Sequence, residues 1–265
     1  MNAMRLLIVP AAGRGSRLSA AVPKLLVPVG GRPMIDRVLE RYEGVVDRAI
    51  VVVSPEAEAS VRAHCAASRL PVQLAVQPRP TGMLDAILAP LQDAGALVPA
   101  SVWITWCDQV AISPATVTDL VAVTGESPAP DLALPTARVQ HPYIHFVRDD
   151  AGRIVDVLQR REEDAMPGAG ETDSGLFALS GAAYLEHLPA FARDHATGAG
   201  TGERNFLPFV PWMARRGVVR TFPVHEAIES VGVNTPEELT LVEAHLARRS
   251  STPPSASAAT PGRHS

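Results

Sequence analysis

Four short apolar runs recur through the first half of the chain: Arg5–Pro10, Ala49–Val53, Val72–Val76 and Val102–Trp106. Each is almost continuously apolar, the pattern of parallel strands covered by helices on both faces. Stretches at about 33–43, 56–67, 83–93 and 114–124 read as the intervening helices. Pro33 and Pro114 stand near helix starts, where a missing N–H does no harm. The order βαβαβαβα predicts a doubly wound α/β fold with a mostly parallel central sheet. After Asp131 the pattern changes. Leu132–Thr136, Tyr143–Arg148 and Ile154–Leu158 read as strands, the last two joined as a hairpin by Asp149-Asp-Ala-Gly152. A strand at Gly175–Leu179, a helix at 181–188, a glycine-rich loop at 197–202 and a helix near 205–215 follow. The strand Val218–Val224 and a helix at 236–248 close the pattern.

Composition narrows the functional classes. With 46% hydrophobic residues in 265, the chain can bury a sizeable core. Lysine plus arginine number 24 against 28 acidic residues, a net charge of −4. Neither nucleic acid nor an anionic membrane is an expected partner. The two cysteines, Cys65 and Cys107, can build neither a disulfide framework nor a four-thiolate zinc site, which suits a reducing compartment. No apolar run approaches the ~18 residues of a membrane span. Leu6–Ala12 resembles a short signal segment, but Arg14 and Arg17 follow at once and a buried strand explains it better. A cytoplasmic protein acting on small molecules is expected. Residues 250–265 are mostly Ser, Thr, Pro and Ala, and read as a disordered tail.

The densest chemistry follows the first strand: Val9-Pro-Ala-Ala-Gly-Arg-Gly-Ser-Arg17, continued to Pro23-Lys24. Its small residues let backbone N–H groups close on an anion, forming a nest for phosphate. Arg14, Arg17 and Lys24 add three cations. A bare Gly-x-Gly is equally a tight turn, so the context decides. A dinucleotide fingerprint fails because Leu18 occupies the third glycine position and Pro23 interrupts the helix. A P-loop fails because Lys24 follows proline and precedes Leu25.

The ordered string Gly13-Arg-Gly-Ser-Arg17, then Pro23-Lys24-Leu-Leu-Val-Pro28-Val-Gly-Gly-Arg-Pro33-Met-Ile, resembles the nucleotidyltransferase family that activates sugar 1-phosphates. Uridylyl- and thymidylyltransferases are among its members. Later segments match in the family's order, so the resemblance runs from about residue 5 to 245. Gln77-Pro-Arg-Pro-Thr-Gly82-Met-Leu-Asp-Ala86 resembles its base-reading segment, and Trp106-Cys-Asp108 stands where its metal-binding aspartate lies. Glu171-Thr-Asp173-Ser-Gly175 resembles the Glu-x-Asn-x-Gly sugar-binding segment. Val231-Gly-Val-Asn234-Thr-Pro-Glu-Glu-Leu resembles the second metal ligand and closing helix. Three positions depart: Asp173 replaces the usual asparagine, Gln159 a frequent glutamate, and His141-Pro-Tyr143 a glycine-containing segment.

The resemblance implies a Rossmann-like fold of the nucleotide-diphospho-sugar transferase type. One domain would span 1–249, with an NTP-binding half to about residue 130. An acceptor-binding half with a small β-rich insertion would follow, and no fused acetyltransferase domain is expected. The implied activity is Mg²⁺-dependent transfer of a nucleoside monophosphate from an NTP to a sugar 1-phosphate or related cyclic polyol phosphate, releasing pyrophosphate. Arg17 would hold the β/γ-phosphates, Lys24 would draw in the acceptor phosphate, and Asp108 with Asn234 would share Mg²⁺. Pro10, Ala11, Ala12, Gly13, Arg14, Gly15, Gln77, Thr81 and Gly82 would bind the nucleotide, with a pyrimidine base favoured. Tyr143, Gln159 and Asp173 would bind the acceptor.

The residue types suit this chemistry independently. A phosphomonoester, with a second pKa of about 6, needs no general base. The chain accordingly offers no convincing Ser-His-Asp or Cys-His arrangement. Two rivals remain: a cytidylyltransferase for a non-sugar phosphate or phosphonate, which shares the loop, and a catalytically silent NTP sensor, which would not need Lys24 or Asp108. Homo-oligomerisation is left open. Plainer roles compete at single residues, with helix capping available to Asp108 and Asn234. His141 and His145 have an i, i+4 spacing but strand-like surroundings, a weak zinc signal. Trp103 and Trp106 read as core.

Overall fold

The computed structural model describes residues 4–13, 22–91, 98–195 and 197–251. In chain order the first half comprises β1 (Arg5–Pro10), the hairpin β2 (Pro28–Val29) and β3 (Arg32–Pro33), α1 (Met34–Tyr42), β4 (Arg48–Val53), α2 (Pro55–Cys65), β5 (Val72–Val76), α3 (Met83–Leu88), β6 (Ser101–Thr105) and α4 (Pro114–Thr124). The second half adds β7 (Leu132–Gln140), β8 (Ile144–Arg148), β9 (Ile154–Gln159), β10 (Ala169–Asp173), β11 (Leu176–Ser180), α5 (Leu188–Asp194), α6 (Phe209–Ala214), β12 (Val219–Pro223) and α7 (Pro236–Ser251).

The apolar runs form the parallel centre of one sheet, ordered β5-β4-β1-β6. β11 pairs antiparallel with β6 and with β7, and β12 adds parallel to β7. β10 pairs with the outer part of β7, Gln140 to Thr136, while β11 takes its start at Ala133 and Leu132. Only β10 and β11 therefore run against the common direction. The expected mostly parallel α/β sheet is present.

Strand periodicity sorts the core into two layers. Leu7, Val9, Val51, Val53 and Trp103 face one way, against Met34, Val38, Leu39 and Tyr42 of α1 and residues of α2, α4 and α7. Their neighbours Leu6, Ile8, Ile50, Val52, Val102 and Ile104 face the other, against α3, α5 and α6. Continuous apolar strands are thus the result of two buried faces, each taking alternate residues.

Local chemistry sets the helix starts. Ser113 Oγ accepts from the Thr116 N–H at 3.1 Å, and Pro114 opens α4. α7 opens on Pro236 behind a reciprocal cap: Thr235 Oγ1 accepts from the Glu238 N–H at 3.3 Å, while Glu238 Oε2 accepts from the Thr235 N–H at 2.9 Å. In the β8–β9 hairpin, Asp149 Oδ1 accepts from the N–H groups of Ala151 at 3.1 Å and Arg153 at 2.9 Å.

Several expected elements differ. β7 continues to Gln140 because β10 offers it a partner. β10 itself was not anticipated: Ala-Gly-Glu-Thr-Asp has no apolar run, and its extended form comes from pairing. α3 ends at Leu88 and passes into a 3-10 turn at Ala89–Leu91, and residues 92 and 93 of the expected helix lie outside the described residues. The helix expected at 181–188 is present, takes a π-helical form at Ala183–His187 and continues through α5, while the one near 205–215 contracts to α6. α7 runs to Ser251, past the expected 248 and into the tail expected at 250–265, and the rest of that tail lies outside the described residues. Among the described residues, no helix is long and apolar enough to cross a membrane.

Candidate active site

A cleft of about 580 Å³ opens at the carboxyl edge of the parallel strands, where open α/β sheets present their ligand sites. Pro10 ends β1, Gln77 follows β5, and Trp106-Cys-Asp108 follows β6. All line the cleft, together with Ala11, Ala12 and Gly13. The Ala11 N–H donates to the Val52 carbonyl at 2.7 Å, tying this main chain to the sheet beneath.

Lys24 opens a 3-10 turn whose next residue, Leu25, is fully buried. That anchor aims the lysine into the cleft. Its Nζ donates to Asp108 Oδ2 and to Asn234 Oδ1, the latter at 2.7 Å. The lysine and aspartate side chains are each only 13% exposed. The Val233 N–H donates to the Asp108 carbonyl at 3.1 Å, so β6 and the approach to α7 are joined by main chain as well.

The plainer roles for these residues are taken by others. Ser113 caps α4 rather than Asp108, and Thr235 with Glu238 caps α7 rather than Asn234. The Asn234 side chain is left to face Lys24, with its Nδ2 donating to the Gly232 carbonyl at 3.1 Å.

Also lining the cleft, Gln77 donates from Nε2 to the Gly82 carbonyl at 3.1 Å and to Thr81 Oγ1 at 3.3 Å, which orients the amide. Gly82 has φ +122°, and a Cβ there would lie 2.4 Å from the Arg204 carbonyl oxygen. Glycine is required on both counts. Thr81 itself is exposed and does not line the cleft.

The expected acceptor residues are not among those lining this cleft. Tyr143 is exposed at the start of β8, and Gln159 is buried at the end of β9 with its Oε1 lacking a hydrogen-bond partner. Asp173 is buried at the β10–β11 break, where its Oδ1 accepts from the Gly175 N–H at 2.7 Å. Burial pushes its carboxyl up to about 6, against the pull of the Gly175 N–H and the Trp106 indole. Trp106 corrects its own expectation: it packs on Phe177 and Phe206 but also forms cleft wall. Trp103 is core, as expected.

His141 and His145 do not form a metal pair. His145 Nδ1 meets the Glu171 N–H at 3.2 Å, while His141 lies exposed with φ +49°. Among the described residues no group of three or more His, Cys, Asp or Glu side chains could hold an ion. Burial pushes the Cys107 thiol up to about 12, which keeps it protonated where it lines the cleft. Arg14, Gly15 and Arg17 lie outside the described residues.

Two charged residues on the cleft wall escaped sequence reasoning. Arg161 Nη2 donates to Glu203 Oε2 at 3.1 Å, and both side chains line the cleft. They are separated by 42 positions, and their one local signal is the glycine-rich segment before Glu203.

The sequence family described as "MobA-like NTP transferase domain" matches residues 7–195. The bifunctional protein GlmU of Pelobacter propionicus is 29% identical over 249 residues, covering 91% of this chain and 52% of that protein. GlmU of Kineococcus radiotolerans is 30% identical over 247 residues, covering 91% and 49%. The chain thus spans about half the length of the curated relatives it matches. The crystal structure of HddC from Yersinia pseudotuberculosis superposes with a TM-score of 0.64 at 18% identity, covering 92% of this chain and all of HddC. A second HddC structure, complexed with GMP-PN, gives a TM-score of 0.62.

Proposed function

The chain belongs to the MobA-like NTP transferase family, and we propose that it transfers a nucleoside monophosphate from an NTP to a phosphorylated acceptor in a Mg²⁺-dependent reaction. The observation that carries this reading is the meeting of Lys24, Asp108 and Asn234 in a cleft that Pro10–Gly13 also line. A sugar 1-phosphate or related cyclic polyol phosphate is the proposed acceptor, and the product would be the NDP-linked acceptor.

In the reaction, an oxygen of the acceptor phosphate forms a bond to the α-phosphorus as the bond to the bridging β-oxygen breaks, and pyrophosphate leaves. The acceptor oxygen is already anionic, so no side chain has to remove a proton. What the protein must supply is alignment and cationic charge. The Lys24 ammonium serves the acceptor phosphate, while Arg17 serves the leaving pyrophosphate. The main chain of Pro10–Gly13 and the oriented Gln77 amide bind the base.

The chemistry of the donor set fits Mg²⁺. Asp108 and Asn234 direct a carboxylate and an amide oxygen to one cationic atom, Lys24 Nζ, and both are hard oxygen donors. Bound there, the ion would neutralise charge that builds on the phosphates. Pyrophosphate release, measured with Mg²⁺, five NTPs and a panel of phosphate esters, tests the proposal. No release from any combination would refute it.

A further inference from the structure

Residues 200–205, on the way from α5 to α6, are held from two directions beside the cleft. On the nucleotide side, the Arg204 N–H donates to the Thr81 carbonyl at 2.8 Å and its carbonyl accepts from the Leu84 N–H at 3.1 Å. The Arg204 guanidinium also pairs with Asp85 on α3 at 2.6 Å. On the far side, the Glu162 carboxylate gathers the glycine-rich turn around itself. Its Oε2 accepts from the N–H groups of Gly200 at 2.9 Å and Thr201 at 3.2 Å. Its Oε1 accepts from the Thr201 hydroxyl at 2.7 Å and the Asn205 amide at 3.2 Å.

The turn lies so close that a Cβ on Gly200 would stand 2.7 Å from the Arg161 carbonyl oxygen. Between the two ties stands Glu203, held by Arg161 Nη2 at 3.1 Å on the cleft wall. Arg161 Nε is itself buried without a hydrogen-bond partner, 3.5 Å from Glu162 Oε1.

A carboxylate on the wall of a cleft that receives phosphates is a selective element. It rewards hydroxyl or ammonium donors, and it repels a second anion because the neighbouring guanidinium is already neutralised. We propose that Glu162 is a positioning residue for acceptor selection, setting the loop so that the Arg161–Glu203 pair favours phosphorylated acceptors with hydrogen-bond donors and no second anionic group on that side. This rests on the nucleotidyl-transfer reading above.

The test uses the whole chain with Mg²⁺ and its best NTP, and three acceptors: glucose 1-phosphate, ethanolamine phosphate and glucuronic acid 1-phosphate. Pyrophosphate release should disfavour glucuronic acid 1-phosphate against glucose 1-phosphate by at least about tenfold in kcat/KM, and Glu203→Gln should remove most of that gap. Glu162→Gln should raise the acceptor KM about tenfold while the NTP KM stays within about twofold. Hydrogen exchange at Gly200 and Thr201 should speed up in the same variant, a readout independent of turnover. An active wild type whose acceptor ranking is unchanged in Glu203→Gln overturns the inference alone. So does a Glu162→Gln variant that raises both KM values equally. A wild type that releases no pyrophosphate with any acceptor overturns the underlying reading and this inference with it.

Discussion

Lys24 Nζ donates to Asn234 Oδ1 across 2.7 Å, joining residues 210 positions apart. Asn234 is free to make this contact because its neighbours Thr235 and Glu238 cap α7 between themselves. Asp108 accepts from the same ammonium at the end of β6. The turn after the first loop, the middle of the sheet and the closing helix therefore share one polar centre.

Lys24→Ala should lower kcat by about 10²–10³-fold, the usual loss when one donor to developing charge is removed. NTP affinity should change by only a few fold, since the contact matters most when two phosphates are forced together. Initial rates of pyrophosphate release and equilibrium NTP binding separate the two effects.

Asp108→Asn should cut turnover by more than about 10²-fold without unfolding the chain. The Asp108 carbonyl keeps its bond from the Val233 N–H, and the asparagine amide still fits beside Lys24. A melting curve close to wild type, beside near-absent pyrophosphate release, is the expected pair of results.

Thr235→Ala should act on stability instead. Loss of an N-cap hydroxyl costs about 1 kcal/mol, or about 2–4 °C in Tm at this chain size. Asn234→Ala should do the reverse, weakening activity and Mg²⁺ dependence more than Tm. Equal melting losses in the two variants would mean that Asn234 caps the helix after all.

Asp173 should leave a mark on stability against pH. Its carboxyl is raised to about 6 in the folded chain, from an ordinary value of 3.8. The folded state then holds a proton that the unfolded state has released between those values. Its favourable contribution is complete below about pH 4 and is lost as pH rises through about 6. Asp173→Asn should therefore gain stability relative to wild type across that window, by about 3 kcal/mol at most, and hold the gain above it. Denaturant melts at pH 4, 5, 6 and 7 measure the difference.

Gly82→Ala should destabilise the chain by roughly 1–3 kcal/mol and weaken NTP binding. The new Cβ would meet the Arg204 backbone at a φ of +122°, pushing apart the contact that orients Gln77. Thermal melting and nucleotide titration of the one variant read both consequences.

The sequence by itself determined the parallel strands, the β8–β9 hairpin and the start of α7, because each depends on residues within a few positions of one another. Burial on two faces writes a continuous apolar run into β1 and β4, and Pro236 opens α7 at the expected position, although the cap falls to Thr235 and Glu238 where Asn234 was the candidate. Residues ending those strands, such as Asp108, were legible as site candidates because the carboxyl edge of a parallel sheet collects them. Only the tertiary structure decided the rest. β10 is extended because β7 pairs with it, Asp173 is buried at the resulting break, and Trp106 turns from the strand into the cleft wall. Arg161 meets Glu203 because Glu162 draws the glycine-rich turn to it. Hydrophobic period records how each element is covered, whereas contacts between distant polar side chains are set by strand order and loop closure, which no local pattern encodes.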